Sequence, residues 1–331
     1  MAVILVISSK RDGHIASVTS HFDAVGQPWV RLNTEDVPRN LALTISPQEG
    51  CGLARIRDSG REFRLEEIGS VWYRKPDPLD LSHFNLAPGS SDYIEAEFTE
   101  ILYGLYALLK RALWINNPLG HRFGHRKMLQ LHVAAQAGFR VPRSVVTNDP
   151  DIALDFAEKV GWDVAIKSLG ALSVTEEQGD KTIQYGVFTR RVNKEELLAH
   201  KDKIGHMPTI FQEYVDKKYE LRVTCVGEQI FCCRIDSQAT VESREDLRFN
   251  ARSLKHEIVE CPEIESKLKA YMKEFGLNFG CFDIAVTHGG EFVFFECNPN
   301  GQWLWIEELT GAPIGKAIAE LLINSSVNVS V

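Results

Sequence analysis

The sequence predicts an α/β amino-terminal segment followed by two α+β segments, and three observations carry that expectation. Strand and helix signals alternate from Ala2 to Asn116, the pattern of a βαβ layer. The breaker Asn117-Pro118-Leu119-Gly120 ends that run. Beyond Lys217 the chain is strand-dominated, with two-residue turn signals at Gly227-Glu228 and Gly289-Gly290. The expected division is 1–118, 119–213 and 214–331.

In the first segment Ala2–Ile7 reads as a buried parallel strand, followed by a helix to Val25 and a strand at Trp29–Leu32. Short strands are expected at Leu41–Ser46, Gly52–Arg57 and Val71–Tyr73. Ile94, Phe98, Ile101, Leu102, Leu105, Leu108 and Leu109 fall at helical spacing, and Trp114–Asn116 closes the segment as a strand. The second segment opens with a basic helix start, His121–Lys127, continuing to about Ala137. Strands follow at Ser144–Thr147, Val164–Ser168, Thr182–Arg190 and Thr209–Val215, with a helix at Lys194–Lys203. Asn148 or Asp149 caps a further helix that carries Pro150 in its first turn. The third segment offers strands at Tyr219–Val226, Gln229–Ser237, Asn278–Thr287 and Glu291–Asn298, with helices at Glu263–Phe275 and Ile314–Ile323.

Bulk properties exclude several classes. At 331 residues, 44% hydrophobic and 25% charged, the chain is long enough for two or three ordinary globular domains. A net charge of −8 disfavours general nucleic-acid binding, which needs a positive surface. The opening MAVILVISSKRDGH has too short an apolar run for a membrane span or a signal peptide, so a cytoplasmic protein without a membrane partner is expected. Its seven cysteines show no C-x-x-C and sit mostly in apolar runs, which reads as buried free thiols.

The last hairpin carries the most chemistry. If Gly289-Gly290 is a two-residue turn, His288 pairs with Glu291 and Asp283 falls directly opposite Glu296 on one face. Asn298 shares that face, two residues on. Two carboxylates ~5 Å apart among apolar neighbours repel, so something must neutralise them. A hard divalent cation with the Asn298 amide oxygen does so. An Arg or Lys from another strand, or a proton on one carboxyl, does so equally.

Lys167 ends the apolar strand VAIK ahead of Gly170, and both it and Lys127 read either as phosphate ligands or as lysines reaching solvent. The Gly120…Gly124…Lys127 run lacks the spacing and the Ser/Thr of a P-loop. Glu220 and Arg222 share a strand face, either as a solvated ion-paired stripe or as ligands of ribose and of the transferring phosphate. Arg248 is a further cation candidate and Asp236 a candidate base. Trp303 and Trp305 read as core packing or as walls of a substrate channel.

Together these residues resemble the ATP-grasp superfamily. The likeness rests on Ala165-Ile166-Lys167, Gln212–Val215, Glu220-Leu221-Arg222, and Asp283 with Glu296-Cys297-Asn298, in that order. It implies an ATP-grasp fold with an amino-terminal βαβ pre-ATP-grasp domain and nucleotide between two α+β lobes. Lys127 and Lys167 are then on phosphates, Glu213 and Val215 at the adenine, Glu220 at the ribose, and Mg2+ on Asp283, Glu296 and Asn298. Arg222 and Arg248 offset charge developing in phosphoryl transfer.

A narrower likeness runs over nearly the whole length, through Val71–Pro76, Gln130–Pro142, Val226–Phe231 and the end NPNGQW…PIGKAIAELL. These segments resemble the microviridin-type graspetide ligases. That family implies phosphorylation of Asp or Glu side chains of a ribosomal precursor peptide, then attack by Ser/Thr or Lys to close ester or amide rings. It implies a leader-binding helix, in which Glu195 and Glu196 match the acidic pair while Ala199 stands where the family has Asn, and a hairpin over Ser173–Thr189 with its tip at Glu176–Lys181. Monomer and homodimer both stay open. The nearer rival is an ATP-grasp ligase adding free amino acids to a peptide or protein end; the more distant is a nucleotide-binding regulatory protein without turnover.

Overall fold

The computed structural model describes residues 1–331 except 47–50, 57–60, 88, 171–172, 179–180, 241–242, 245, 248–250 and 328–331. Strands β1 (Val3–Ser8), β2 (Trp29–Asn33), β6 (Ile68–Tyr73) and β7 (Leu113–Ile115) form a parallel sheet in the order β2-β1-β6-β7. The apolar run Ile4–Ile7 is wholly buried, because helices cover both faces of a parallel sheet. Helix α1 (His14–Ala24) buries Ile15, Val18 and Phe22. Helix α2 (Ser90–Leu108) buries Leu102, Leu105 and Tyr106. A small antiparallel sheet comprises β3 (Leu41–Ser46), β4 (Cys51–Ile56) and β5 (Arg61–Arg64). The charged β5 has no apolar alternation to reveal it in sequence, and Arg57, expected to end β4, lies outside the described residues.

Two helices replace the single one expected after the Pro118 breaker, α3 (Pro118–Gly124) and α4 (Lys127–Gln136). The chain leaves helical geometry at Arg126, which is extended, and so Lys127 starts a helix of its own. The central sheet has the order β12-β9-β13-β8, from β8 (Ser144–Thr147), β9 (Val164–Lys167), β12 (Arg190–Val192) and β13 (Thr209–Glu213). A hairpin, β10 (Ser173–Gln178) and β11 (Lys181–Gly186), stands apart, so the strand expected over Thr182–Arg190 is split between β11 and β12. Helix α5 (Pro150–Lys159) is capped by Asp149, whose carboxylate accepts from the N–H groups of Asp151 and Ile152. The helix expected over Lys194–Lys203 is broken at His200 into α6 (Lys194–Ala199) and α7 (Lys201–Ile204).

The third sheet is antiparallel, in the order β16-β15-β14-β17-β18. Its strands are β14 (Lys217–Val226), β15 (Gln229–Ile235), β16 (His256–Val259), β17 (Phe279–Thr287) and β18 (Phe292–Asn298). Helix α8 (Pro262–Glu274) covers one face with Ile264, Leu268 and Tyr271. Helices α9 (Leu304–Thr310) and α10 (Ile314–Val327) then return to the amino-terminal sheet. Ile314, Ile318 and Leu322 share one core with Ile4, Val6 and Phe22 on one side and Val226, Ile235 and Phe279 on the other. That common core holds the first and last sheets together, and the cleft described below opens beside it. Cys225, Cys232, Cys233, Cys261, Cys281 and Cys297 are free and buried. Among the described residues no helix is long and apolar enough to cross a membrane.

Candidate active site

A cleft of about 1130 Å³ is lined by β9, β13, β14, β17 and β18, and by the loops after β1 and β6. Nine Lys or Arg and seven Asp or Glu line it, so it is net positive on a chain of net charge −8. Such a cleft suits an anionic ligand.

Its floor is a row across three strands. Arg222 pairs with Asp283 in the β14–β17 ladder, and Asp283 pairs with Glu296 in the β17–β18 ladder. The expected facing pair is thus present, but not through the expected turn. Thr287 N–H donates to Glu291 O at 3.1 Å, leaving the three-residue loop His288–Gly290 with Gly290 at φ +82°. That loop alone would shift the register by one and set Glu296 opposite Phe282. A bulge at Phe295 restores it, which a ladder extrapolated from the turn cannot foresee.

The two carboxylates are not left facing each other uncompensated. Arg222 Nη1 lies 2.7 Å from Asp283 Oδ1, and Lys127 Nζ lies 3.8 Å from Glu296 Oε2. Cations from neighbouring elements therefore offset the pair's charge in part. Burial still pushes the Asp283 carboxyl up to about 6; Glu296 and Glu220 act the same way, against the pull of Arg222. Burial also opposes the Arg222 charge, but Asp283 outweighs it and the guanidinium stays firmly protonated.

The oxygens present fit a magnesium ion that also carries phosphate. Asp283 and Glu296 supply two carboxylates, and Asn298 Oδ1, which accepts from Asn300 N–H at 2.9 Å, keeps a second lone pair. Among the described residues no three His, Cys, Asp or Glu side chains converge, so an all-protein cage is not what the cleft offers.

Lys127 and Lys167 both line the cleft. Lys127 donates to Ser168 O at 3.0 Å, and Lys167 Nζ sits 4.7 Å from the centre of the Phe295 ring. Burial lowers the Lys167 ammonium to about 8. Glu220 is not part of a solvated stripe: it is 5% exposed and pairs at 2.8 Å with Lys217, itself 5% exposed. Glu213 lines the cleft with its carboxylate held by Arg143 at 2.5 Å and Arg140 at 3.5 Å, while Val215 is buried against Ala285, Val293 and Phe295.

Several candidates lie elsewhere. Arg248 falls outside the described residues. Asp236 is exposed and is not among the cleft-lining residues. Trp303 is core, 1% exposed, whereas Trp305 lines the cleft. Glu195 and Glu196 open α6, away from the cleft; Glu195 is exposed, and Glu196 forms a capping box with Asn193 and an ion pair with Arg190. The hairpin pairs Gln178 with Lys181, so Glu176 and Glu177 sit within β10 and not at the tip.

Residues outside the predicted site hold this floor in place. Gln130 Nε2 donates to Cys297 O at 2.7 Å and its Oε1 accepts from Cys297 N–H at 3.1 Å, pinning the residue between Glu296 and Asn298. Gly301 lets the next loop approach: a Cβ there would lie 2.4 Å from Cys281 Cβ and 2.9 Å from Arg222 Nη2. Arg74, with its partners Asp12 and His14, reaches the same floor from the amino-terminal segment through Asn300 and Gln302.

Comparison with known proteins agrees with this geometry. The family described as the MvdD pre-ATP grasp domain matches residues 3–121. No curated protein matches the chain by sequence. A Chryseobacterium gregarium RiPP-associated ATP-grasp ligase, solved with ADP and a leader and core peptide, is 29% identical. The match covers 98% of this chain and 97% of that one, with a TM-score of 0.87. The macrocyclase MdnC from Microcystis aeruginosa, solved with its precursor peptide MdnA, is 30% identical over 97% of this chain and 99% of its own, with a TM-score of 0.84. The ATP-grasp ligase PsnB, solved with a precursor variant, Mg and ADP, shares the fold at 21% identity over 98% and 99% of the two chains, with a TM-score of 0.76. With a 30% identical relative matched end to end, the chain belongs to the ATP-grasp ligases of the microviridin-type macrocyclase family.

Proposed function

We propose that this chain is an ATP-dependent macrocyclase of a ribosomal precursor peptide, acting in the cytoplasm with ATP and Mg2+. The row Arg222–Asp283–Glu296 beside Lys127 and Lys167 supports this reading most. In it, residues 1–118 form the pre-ATP-grasp part, 119–213 the central lobe, and 214–331 the lobe that holds the metal.

Lys127 and Lys167 bind the nucleotide phosphates, Glu213 and Val215 border the adenine, and Glu220 faces the ribose. Asp283, Glu296 and Asn298 would hold Mg2+, which would neutralise phosphate charge and orient the transferring group. With Asp283 engaged by the ion, Arg222 would be free to turn its charge to the γ-phosphate; Arg248 is assigned the same task. An Asp or Glu carboxylate oxygen of the peptide bonds to the γ-phosphorus as the bond to ADP breaks. A Ser or Thr hydroxyl, or a Lys amine, of the same peptide then bonds to the acyl carbon, and phosphate leaves with the carbon–oxygen electron pair. The nucleophile's proton passes to phosphate or solvent. Glu195, Glu196 and the β10–β11 hairpin receive the leader.

The test is mass spectrometry of candidate precursor peptides rich in Ser/Thr and Asp/Glu, incubated with enzyme and Mg-ATP. Ring closure removes about 18 Da per ring, one water each. An unchanged peptide mass with steady ADP release on free amino acids would replace this reading by that of an amino-acid ligase.

A further inference from the structure

Arg74 follows β6 in the amino-terminal sheet, 2% exposed and far in sequence from the carboxylate row. Its Nε lies 3.2 Å from Asp12 Oδ2, and its Nη2 lies 3.2 Å from each ring nitrogen of His14. His14 is itself fixed, with Nδ1 at 2.7 Å from Asp12 and its ring edge-on to Trp303. Neutralising so buried a guanidinium requires a partner, and Asp12 provides it. The remaining donors converge on one short loop. Nη1 donates to both the backbone oxygen and Oδ1 of Asn300, each at 2.7 Å, and Nη2 donates to Gln302 Oε1 at 3.1 Å.

That loop follows β18, the strand of Glu296 and Asn298. Asn300 N–H donates to Asn298 Oδ1 at 2.9 Å, and Gln302 O accepts from Arg222 Nη2 at 3.0 Å. The two residues that Arg74 grips thus bond to the Asn298 amide and, alongside Asp283, to the Arg222 guanidinium.

We infer that Arg74 is a positioning residue, which locks the Asn298–Gln302 loop onto the amino-terminal sheet so that Asn298 Oδ1 and the Arg222 guanidinium stay aimed at the cleft. The inference rests on the metal reading given under Proposed function. A simple staple between sheets would affect stability and every ligand alike; a positioning residue acts on the metal-dependent part of nucleotide binding. A lysine in its place keeps the charge but not the planar fork of donors.

The experiment is calorimetric titration of the full chain with ADP, once in excess Mg2+ and once in EDTA, with melting temperatures recorded alongside. The wild type should bind ADP more tightly in Mg2+. Arg74→Lys should lose tenfold or more of that gain while its affinity in EDTA stays within twofold. Asn300→Ala, which removes one acceptor and leaves the Arg74–Asp12 pair intact, should lose part of the same gain and decides the matter if Arg74→Lys does not fold. A full magnesium gain in the variants, whatever their melting temperature, overturns the inference, as does an equal loss in EDTA. A wild type that gains nothing from Mg2+ refutes the metal assignment itself and removes the ground for this inference.

Discussion

Arg222 and Asp283 stand opposite each other on adjacent strands and close a 2.7 Å ion pair at the centre of the cleft. The pair resolves an electrostatic problem only in part, because Glu296 sits opposite Asp283 on the other side. Burial keeps Asp283 at about 6 in spite of the guanidinium. A cation arriving with nucleotide therefore meets a carboxylate already short of compensation.

Glu296→Gln keeps the shape of the row and removes one charge. The expected result is peptide binding within a few-fold of wild type and ATP turnover reduced by about a hundredfold or more, the scale of losing one charge-stabilising group in a phosphoryl-transfer site. Peptide affinity by fluorescence anisotropy and ADP release by a coupled assay measure the two separately. Near-normal turnover would contradict the assignment.

Lys167 predicts the pH profile of nucleotide binding. Its free-protein value of about 8 means the ammonium is present below pH 8 and is lost above it, while a phosphate ligand needs it charged. ADP affinity should fall above pH 8, approaching tenfold per pH unit. Lys167→Arg should flatten the fall, and Lys167→Met should bind weakly at every pH. For stability the sign is opposite. The lowered value makes the charged form costly in the folded state, so this group's penalty is largest below pH 8 and disappears as pH rises toward the unfolded value near 10.5.

Gly301→Ala inserts a Cβ against Cys281 and Arg222. Overpacking of this kind costs about 1–3 kcal/mol, read as a lower melting temperature, and turnover should fall further than stability because Arg222 is displaced. Wild-type turnover in a folded Gly301→Ala protein would show that the loop's close approach is dispensable.

Glu195 and Glu196 separate by the same kind of comparison. Glu196→Ala removes a capping box and should cost about 1 kcal/mol of stability. Glu195→Ala should leave the melting temperature unchanged and weaken binding of the leader peptide alone. Equal leader affinity in Glu195→Ala and wild type would leave α6 with a purely structural part.

Much of the fold was legible where a periodic pattern met a clear stop: the buried run at Ile4–Ile7, the Asp149 cap, and the Gly227-Glu228 hairpin, where Val226 pairs with Gln229. The pairing of Asp283 with Glu296 was legible for a reason that is partly compensation, since the three-residue loop and the Phe295 bulge cancel. Bulges answer to packing on both faces of a sheet, which one strand's sequence does not display. The partners of the row were less legible. That Arg222 meets Asp283, and so joins the row with Glu296, depends on strand order β14-β17-β18, which no local spacing fixes. Arg74 was invisible as a site residue because its partners Asn300 and Gln302 lie more than 200 residues away.

The structure of the protein with ADP and Mg2+ tests the central claim most directly. The account predicts that Arg222 leaves Asp283, and that oxygens of Asp283, Glu296 and Asn298 surround the ion at about 2.1 Å. An intact Arg222–Asp283 pair, with the ion bound elsewhere, would contradict it.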